Sequence, residues 1–557
     1  MRGIGISRVL GLWLVTGTWL AAPCAIAQIQ QQIDGCVNDD KGFAPAAQIG
    51  ACTAVIQSSK WSGREITWAY NNRGNAYYDK GDLGRAIADY DEAIRLDPQY
   101  AATYNNRGNA YRVKGEFDRA IADHNEAIQR NPQYAVAFNS RGVAYEAKGD
   151  FDRAFADYGE AIRLDPQYAI AFNNRGIAYD AKHDLDHAIA DYTDAIRLDP
   201  KYAQAYNNRG NAYYHKVDLD RALADYNQAI GLDPQYAAAY NNRGNAYRVN
   251  GEFDRAIADY DQAIRLDPQY AVAFNNRGIA YEAKGEFDRA IADYNDAIRL
   301  RSSYAHAYNN RGLAYEAKGE VDRAIADYDM AIRLDPKYAH AYNNRGLARE
   351  ANGAIADAVA DYGAAIGLNP NYADAYNNRG NAYRIMGEFD RAIADYGEAI
   401  RFDPNSADAY FSRGRLYLYG ASVAKAQADF RQAGELNSKN AYFALWLDIA
   451  ERRDNVPSHL TQTAKPLDMT AWPAPVVRLF LGDMTPATLL AAVDDANLKI
   501  RQGQMCEAHF FSAEFALLQN AKEEALRLFR LAASDCPKSF IEWEAANAEL
   551  KALGASP

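Results

Sequence analysis

The sequence predicts an all-α protein: an α-solenoid of about eleven regular helix pairs with degenerate helical caps at both ends. Three observations predict it. An Arg-Gly pair recurs at a constant step of 34 residues, from Arg73-Gly74 and Arg107-Gly108 to Arg413-Gly414. Within each period apolar residues fall at helical spacing in two bursts. Each burst is punctuated: in the stretch 101–134, Gly115 tolerates the positive φ that ends one helix, and Pro132 stops the next.

The chain opens with Arg2 and Arg8 before an apolar run, Val9 to Leu20, and Ala25-Ile26-Ala27 fits the small-x-small cleavage rule. Residues 1–27 therefore read as a secretory signal peptide, because the apolar run is too short to span a membrane. Pro23 stands before Cys24 where a lipoprotein signal needs a small residue, so no lipid anchor is expected. No later segment is long and apolar enough to be a transmembrane helix. Gln28 to Ile33 is polar and expected to be disordered. Residues 28–66 form a degenerate cap: Ile49 to Ile56 echoes the later IADYDEAI pattern without the Arg-Gly signature. Four cysteines follow Cys24, as two local pairs outside the repeats. In an oxidising compartment these read as disulfides Cys36–Cys52 and Cys506–Cys536; the alternative is four free buried thiols.

Eleven units fill 67–440. In unit two, Tyr104, Gly108 and Tyr111 share one face of helix A, and Asp118 is placed to cap helix B. Unit six carries Tyr240, Gly244, Tyr247, Ala256, Tyr260, Ala263 and Pro268 at positions 4, 8, 11, 20, 24, 27 and 32 of its repeat. These are the marks of the tetratricopeptide repeat (TPR) family, which the stretch 67–440 closely resembles. The resemblance implies a right-handed TPR superhelix whose A helices line a concave, protein-binding side. His183 and Val217 replace the turn glycine, Ser302 the proline and Ala421 the last turn glycine.

Two positions depart from the family pattern in every unit. Position 7 is Arg and position 23 is Asp throughout, as in Arg107 with Asp123 and Arg243 with Asp259. Both positions face the gap between helices, which predicts a ladder of partly buried Arg–Asp pairs; a solvated charge stripe is the alternative. Near the C-terminus both charges vanish together, since Ser512 and Leu528 occupy these positions.

After 440 the rhythm changes. Tyr442 to Arg452 reads as a helix, and Pro457, Pro466, Pro473 and Pro475 mark a connector. Short helices are expected at 475–482 and 485–500, a twelfth degenerate pair at 506–537, and a capping helix from Phe540 to Leu553 within a C-terminal region 441–557. Cys506 and Cys536 lie at ends of that pair which antiparallel helices bring together. The strings ALWLDIAERR, WPAPVVRLFLGDMTPATLL and CEAHFFSAEFALLQNAKEEALRLFRLAASDCPKSFIEWEAANAELKALG resemble the C-terminal half of the NlpI family of bacterial envelope TPR lipoproteins. That resemblance implies adaptor work in the cell envelope and names no partner.

The formal charge of −12 excludes general binding to a polyanion, so nucleic acid is not an expected partner. No phosphate loop, metal-ligand spacing or nucleophile constellation stands out, and His183 and His187 straddle a turn. No cofactor, no metal and no enzymatic activity are expected. What remains is the concave surface, where positions 2, 5, 9 and 12 of helix A point inward in the family. Asparagine at position 5, from Asn71 and Asn105 onward, offers donor and acceptor to an extended backbone. Asparagine at position 6 has two readings, structural and binding. The candidate groove in the first units is Asn109, Arg112, Glu146 and Asp180. It continues through Tyr214, Asn245, Arg248 and Glu282, then Leu313, Glu316, Leu347, Glu350 and Arg384. Apolar-acidic patches at 143–180 and 279–350 are the prime contact sites. Carboxylate capture through position 5 is not expected, because that variant of the family needs Lys there. The reading is a non-enzymatic adaptor or scaffold, periplasmic or secreted, that binds a protein or peptide. A peptidoglycan- or glycan-binding module is the alternative, and the placement of tyrosines discriminates: positions 4, 11 and 24 are core, with Tyr78 and Tyr214 the exposed exceptions.

Overall fold

The computed structural model describes residues 22–38, 42–58, 60–420, 422–537 and 540–555. Ala421 and most of the expected signal peptide lie outside the described residues. All elements among the described residues are helices, and the chain divides between Pro268 and Gln269 into two compact parts.

The first part opens with a helix pair, Ala22–Val37 and Pro45–Gln57, joined by the Cys36–Cys52 disulfide. The first helix runs through Gln28–Ile33, so the expectation of disorder there is corrected. Cys36 and Cys52 are fully buried, and Ile33 packs against the small core they form with Val55, Ile66 and Ala69.

Units one to six follow, each a 13-residue helix A and a 14-residue helix B, as in Ala101–Val113 and Phe117–Arg130. Helix A of unit two ends because Gly115 takes φ 78°, which lets Glu116 N–H donate to the Tyr111 carbonyl at 2.9 Å. His183 and Val217 hold the same left-handed conformation at φ 60° without glycine's freedom. The cap of helix B is not position 18. Asp118 lies inside the first turn and pairs with Lys148 of the next unit at 2.5 Å. The N-cap is position 16, where Asp82, Asp150, Asp184 and Asp218 accept from the backbone N–H three residues on. Glutamate there, as Glu116, makes no cap bond and pairs instead with Arg119.

Glycine at position 8 sets the distance between helices A and B. A Cβ on Gly244 would stand 2.7 Å from the Tyr260 ring, so the close approach requires its absence. Alanines at positions 20 and 27 and the position 24 ring complete a thin core, as Ala256, Ala263 and Tyr260 do with at most 0% exposure.

The second part holds units seven to eleven and the C-terminal region. Here the helices are Ala441–Arg453, Leu460–Thr463, Ala474–Leu481, Pro486–Ala491, Leu498–Leu518, Lys522–Asp535 and Ile541–Ala552. Two boundaries differ from expectation. The helix expected over 485–500 ends at Ala491, and the first helix of the last pair begins at Leu498 rather than Cys506, where Asn497 caps it. Trp446, Phe510, Phe511, Phe529 and their neighbours form one continuous apolar core across these helices. Cys506 is joined to Cys536 within it.

Candidate partner-binding groove

Helix A faces three ways, and each face has a different task. One face carries position 7. In all eleven units the arginine grips the position 23 aspartate through two parallel bonds; Arg107 Nε and Nη2 stand 2.8 and 2.7 Å from the Asp123 oxygens. The Arg243–Asp259 pair measures 2.7 Å in both bonds. Where position 25 of the preceding unit offers a side-chain oxygen the third donor, Nη1, can reach it: Arg107 to Asp91, Arg141 to Asn125, Arg345 to Asp329. Before units four, ten and eleven that position is Gly159, Gly363 and Gly397. At the N-terminal end Arg73 finds Thr53 of the cap pair in the same role at 3.2 Å. The aspartates are buried, Asp123 at 6% exposure, so each guanidinium satisfies a carboxylate that water does not reach.

A second face carries the asparagines, and here the groove expectation is corrected. Asn71 and Asn105 are buried, at 4% and 2% exposure, because position 5 faces the neighbouring A helix. The position 6 amide of the next unit donates to it: Asn106 to Asn71 at 3.1 Å, Asn208 to Asn173 at 3.1 Å and Asn344 to Asn309 at 3.0 Å. Both asparagine positions thus clasp successive units. The clasp opens where position 6 is serine. Before Ser140 and Ser412, the oxygens of Asn105 and Asn377 are buried without a partner.

The third face is the groove, positions 9 and 12. In most units they vary jointly with the buried position 24 tyrosine, whose hydroxyl needs an acceptor; unit eleven has Phe430 there and Arg415 at position 9. Where position 9 is asparagine it accepts that bond, as Asn245 does from Tyr260 at 2.8 Å. Where position 9 is apolar, position 12 is acidic: Tyr158 donates to Glu146 at 2.6 Å, Tyr294 to Glu282 at 2.8 Å, Tyr328 to Glu316 at 2.9 Å and Tyr362 to Glu350 at 2.9 Å. Burial pushes the Glu146, Glu282 and Glu350 carboxyls above their ordinary range, and the tyrosine bond partly offsets it. Unit four uses Ile177 with Asp180, whose shorter chain makes no such bond; burial raises it too. The glutamates are therefore half-buried groups with one oxygen engaged. Unit two breaks the rule: His124 replaces the tyrosine, neither ring nitrogen has a partner, and burial lowers its pKa to about 3. Asn109 and Arg112 beside it are half-buried.

Two apolar-acidic strips result. Val143, Glu146, Ile177 and Asp180 lie in the first part; Ile279, Glu282, Leu313, Glu316, Leu347 and Glu350 lie in the second. Ile177 and Leu347 are 37% and 36% exposed. Tyr214 and Tyr78 are half-buried against Tyr226 and Tyr90 rather than free platforms. Arg248 is half-buried, its Nε without a partner. Arg384 is not open either: it pairs with Glu544 of the last helix, which lies on the concave side of units ten and eleven. Sequence spacing did not signal this contact, which joins residues 160 apart. At the groove edge His306 stacks on Tyr338 with ring centres 4.7 Å apart, and His340 accepts or donates at the Tyr372 hydroxyl at 2.7 Å. Among the described residues no cluster of His, Cys, Asp or Glu is placed to hold a metal, and no helix is long and apolar enough to cross a membrane.

Fold and groove define a repeat solenoid that presents surface. Family models agree. A TPR repeat model matches 74–112, 147–182, 244–285, 351–384 and 380–418, and tetratricopeptide repeat models match 101–134, 173–237, 225–258 and 275–339. The chain belongs to the tetratricopeptide repeat family, whose members are generally non-catalytic scaffolds that bind proteins. No curated protein matches it. Similar solved structures include the Cut9–Hcn1 hetero-tetramer of APC/C, at 15% identity over 77% of this chain and 98% of that one, TM-score 0.43. A tetratricopeptide repeat protein from Parabacteroides merdae is 21% identical over 44% of this chain and 98% of that one, TM-score 0.37. Yeast Tom70 is 16% identical over 72% of this chain and 99% of that one, TM-score 0.38.

Proposed function

We propose that the chain is an exported, non-enzymatic adaptor of the bacterial envelope that binds basic, apolar-faced segments of partner proteins on its two strips. The observation that carries this is the pairing of an apolar position 9, half-buried in units three, seven and eight and exposed in units four and nine, with an acidic position 12 in all five. A segment presenting alternate apolar and Lys or Arg side chains would bury the first and pair the second. The molecule supplies its own analogue with reversed sign: where the groove carries Arg384 and Arg415, an acidic helix with Glu542 and Glu544 lies in it. Export is supported by the two disulfides, which persist in oxidising compartments. The envelope setting rests on the likeness of 441–554 to the NlpI family.

The test is fluorescence anisotropy with two labelled helical peptides, one of Leu and Lys, one of Leu and Glu. The basic peptide is expected to bind, and to lose at least tenfold when Glu282, Glu316 and Glu350 become Lys. Binding should also weaken with salt. Equal binding of both peptides, or indifference to the reversal, would sink the reading.

A further inference from the structure

Beyond the strips, the second part holds a separate cavity. The start of the last helix, Ile541–Ala552, closes over the A helices of units ten and eleven and over Ala441–Arg453, leaving a space of about 550 Å³. Its walls contain polar groups that the chain itself does not satisfy. Arg415 is 6% exposed and its Nε has no acceptor. Among the described residues no carboxylate pairs with its guanidinium; it rests over the Phe411 ring, 5.2 Å from the centre. Glu542 is 5% exposed and receives no bond from another side chain among the described residues. Glu507 beside it accepts from Tyr442 and Trp472, both through Oε2. The Asn377 oxygen and Trp446 Nε1 are buried without partners on the same wall.

A buried guanidinium held only over the Phe411 ring and a buried carboxyl held only by backbone face one cavity without forming a salt bridge, which is a costly arrangement. Burial and the neighbouring Glu507 push Glu542 up to about 7, and attraction to Arg415 offsets this only in part. We propose that this cavity binds a small zwitterion, a short peptide with free ends, its carboxylate on Arg415 and its ammonium between Glu542 and Glu507. The unpartnered Asn377 oxygen would accept a peptide N–H. Requiring both charges in one cavity excludes the end of a protein chain, which carries only one. The volume lies within the range of about 300–1,000 Å³ usual for ligand pockets and exceeds what one amino acid fills.

The experiment is calorimetric titration of the full mature chain with a library of tripeptides, each also as its N-acetyl and C-amide form. Free peptides are expected to bind, and blocking either end to weaken binding at least tenfold. Arg415→Met should cost a similar factor with free peptides and almost nothing further with amides. Glu542→Gln should do the same with respect to N-acetyl peptides. Blocked peptides that bind as well as free ones, or a wild-type chain that binds no library member at millimolar concentration, would overturn the proposal. If Arg415→Met does not fold, Glu542→Gln and the blocked peptides decide it.

Discussion

Unit eight and the last helix pair follow one 34-residue plan with opposite chemistry at its seam. Unit eight places Arg311 against Asp327, with bonds of 2.7 Å, and Arg311 Nη1 reaches Asn295 of unit seven at 2.6 Å. The pair Leu498–Leu518 and Lys522–Asp535 places Ser512 and Leu528 at the same positions, buried at 0% and 2%. A two-bonded guanidinium forms in one register only, so the ladder repeats a stacking geometry faithfully. Apolar burial has no preferred direction. It lets Trp446, Phe480, Phe510 and Phe529 join helices of unequal length, including the short ones after the connector, into one core. The array is thus a chain of local, directional joints, and the C-terminal region is a single packed body.

The sharpest way to break this contrast is Arg311→Met. It leaves Asp327 buried without a cation and is expected to cost about 3–5 kcal/mol. Hydrogen exchange should show the loss confined to units seven to nine. The double change Arg311→Ser with Asp327→Leu, copying the C-terminal pair, should recover most of it; a double variant as weak as the single would refute the seam argument. Replacing Cys506 and Cys536 by Ala should cost about 3–4 kcal/mol by loop entropy. That loss should appear across 441–555 as a block, not in the units.

The two regions should also respond to pH in opposite directions. His124 in unit two has its folded pKa lowered to about 3, below the ordinary 6.5. Its stability is present above pH 6.5 and is lost, at about 1.4 kcal/mol per unit, as pH falls from 6.5 towards 3. Glu542 is raised to about 7 from 4.5, so its contribution is present below 4.5 and lost as pH rises through 7. Moving from pH 8 to pH 5 should therefore slow exchange around the last helix and quicken it in unit two; parallel changes would contradict both assignments. His124→Tyr should abolish the acid response of unit two and add about 1 kcal/mol by donating to Asn109 as Tyr260 does to Asn245. Ser140→Asn should gain about 1 kcal/mol by reaching the orphaned Asn105 oxygen. The smallest effect expected is Val217→Gly, a gain of up to about 1 kcal/mol in thermal denaturation, because a β-branched residue at φ 60° is strained.

The helix pairs were legible because punctuation and period are local properties of sequence. The Arg–Asp ladder was legible because both partners repeat at a fixed offset of 16 residues. The cap was misread: Asp118 looked placed to cap, but capping requires non-helical backbone, which begins two residues earlier. The asparagines were misread as groove donors for a related reason. Position 5 lies near the concave side, and only packing of the next A helix shows that its amide is spent on a neighbour. The joint choice at positions 9 and 12 was visible as variation, yet the tyrosine hydroxyl that couples them lies 12 or 15 residues away, on helix B.

By itself the sequence determined the repeat, the turn positions, the aromatic core, the charge ladder and the two local cysteine pairs, since each is written in spacing within one or two periods. Only the tertiary structure decided which polar side chains stay open on the groove and which face a neighbouring helix. It alone placed Glu544 on Arg384, and left Arg415 and Glu542 facing one cavity unpaired. The physical reason is that these contacts join residues more than 100 apart, where no period connects them and the fold of the C-terminal core sets who meets whom.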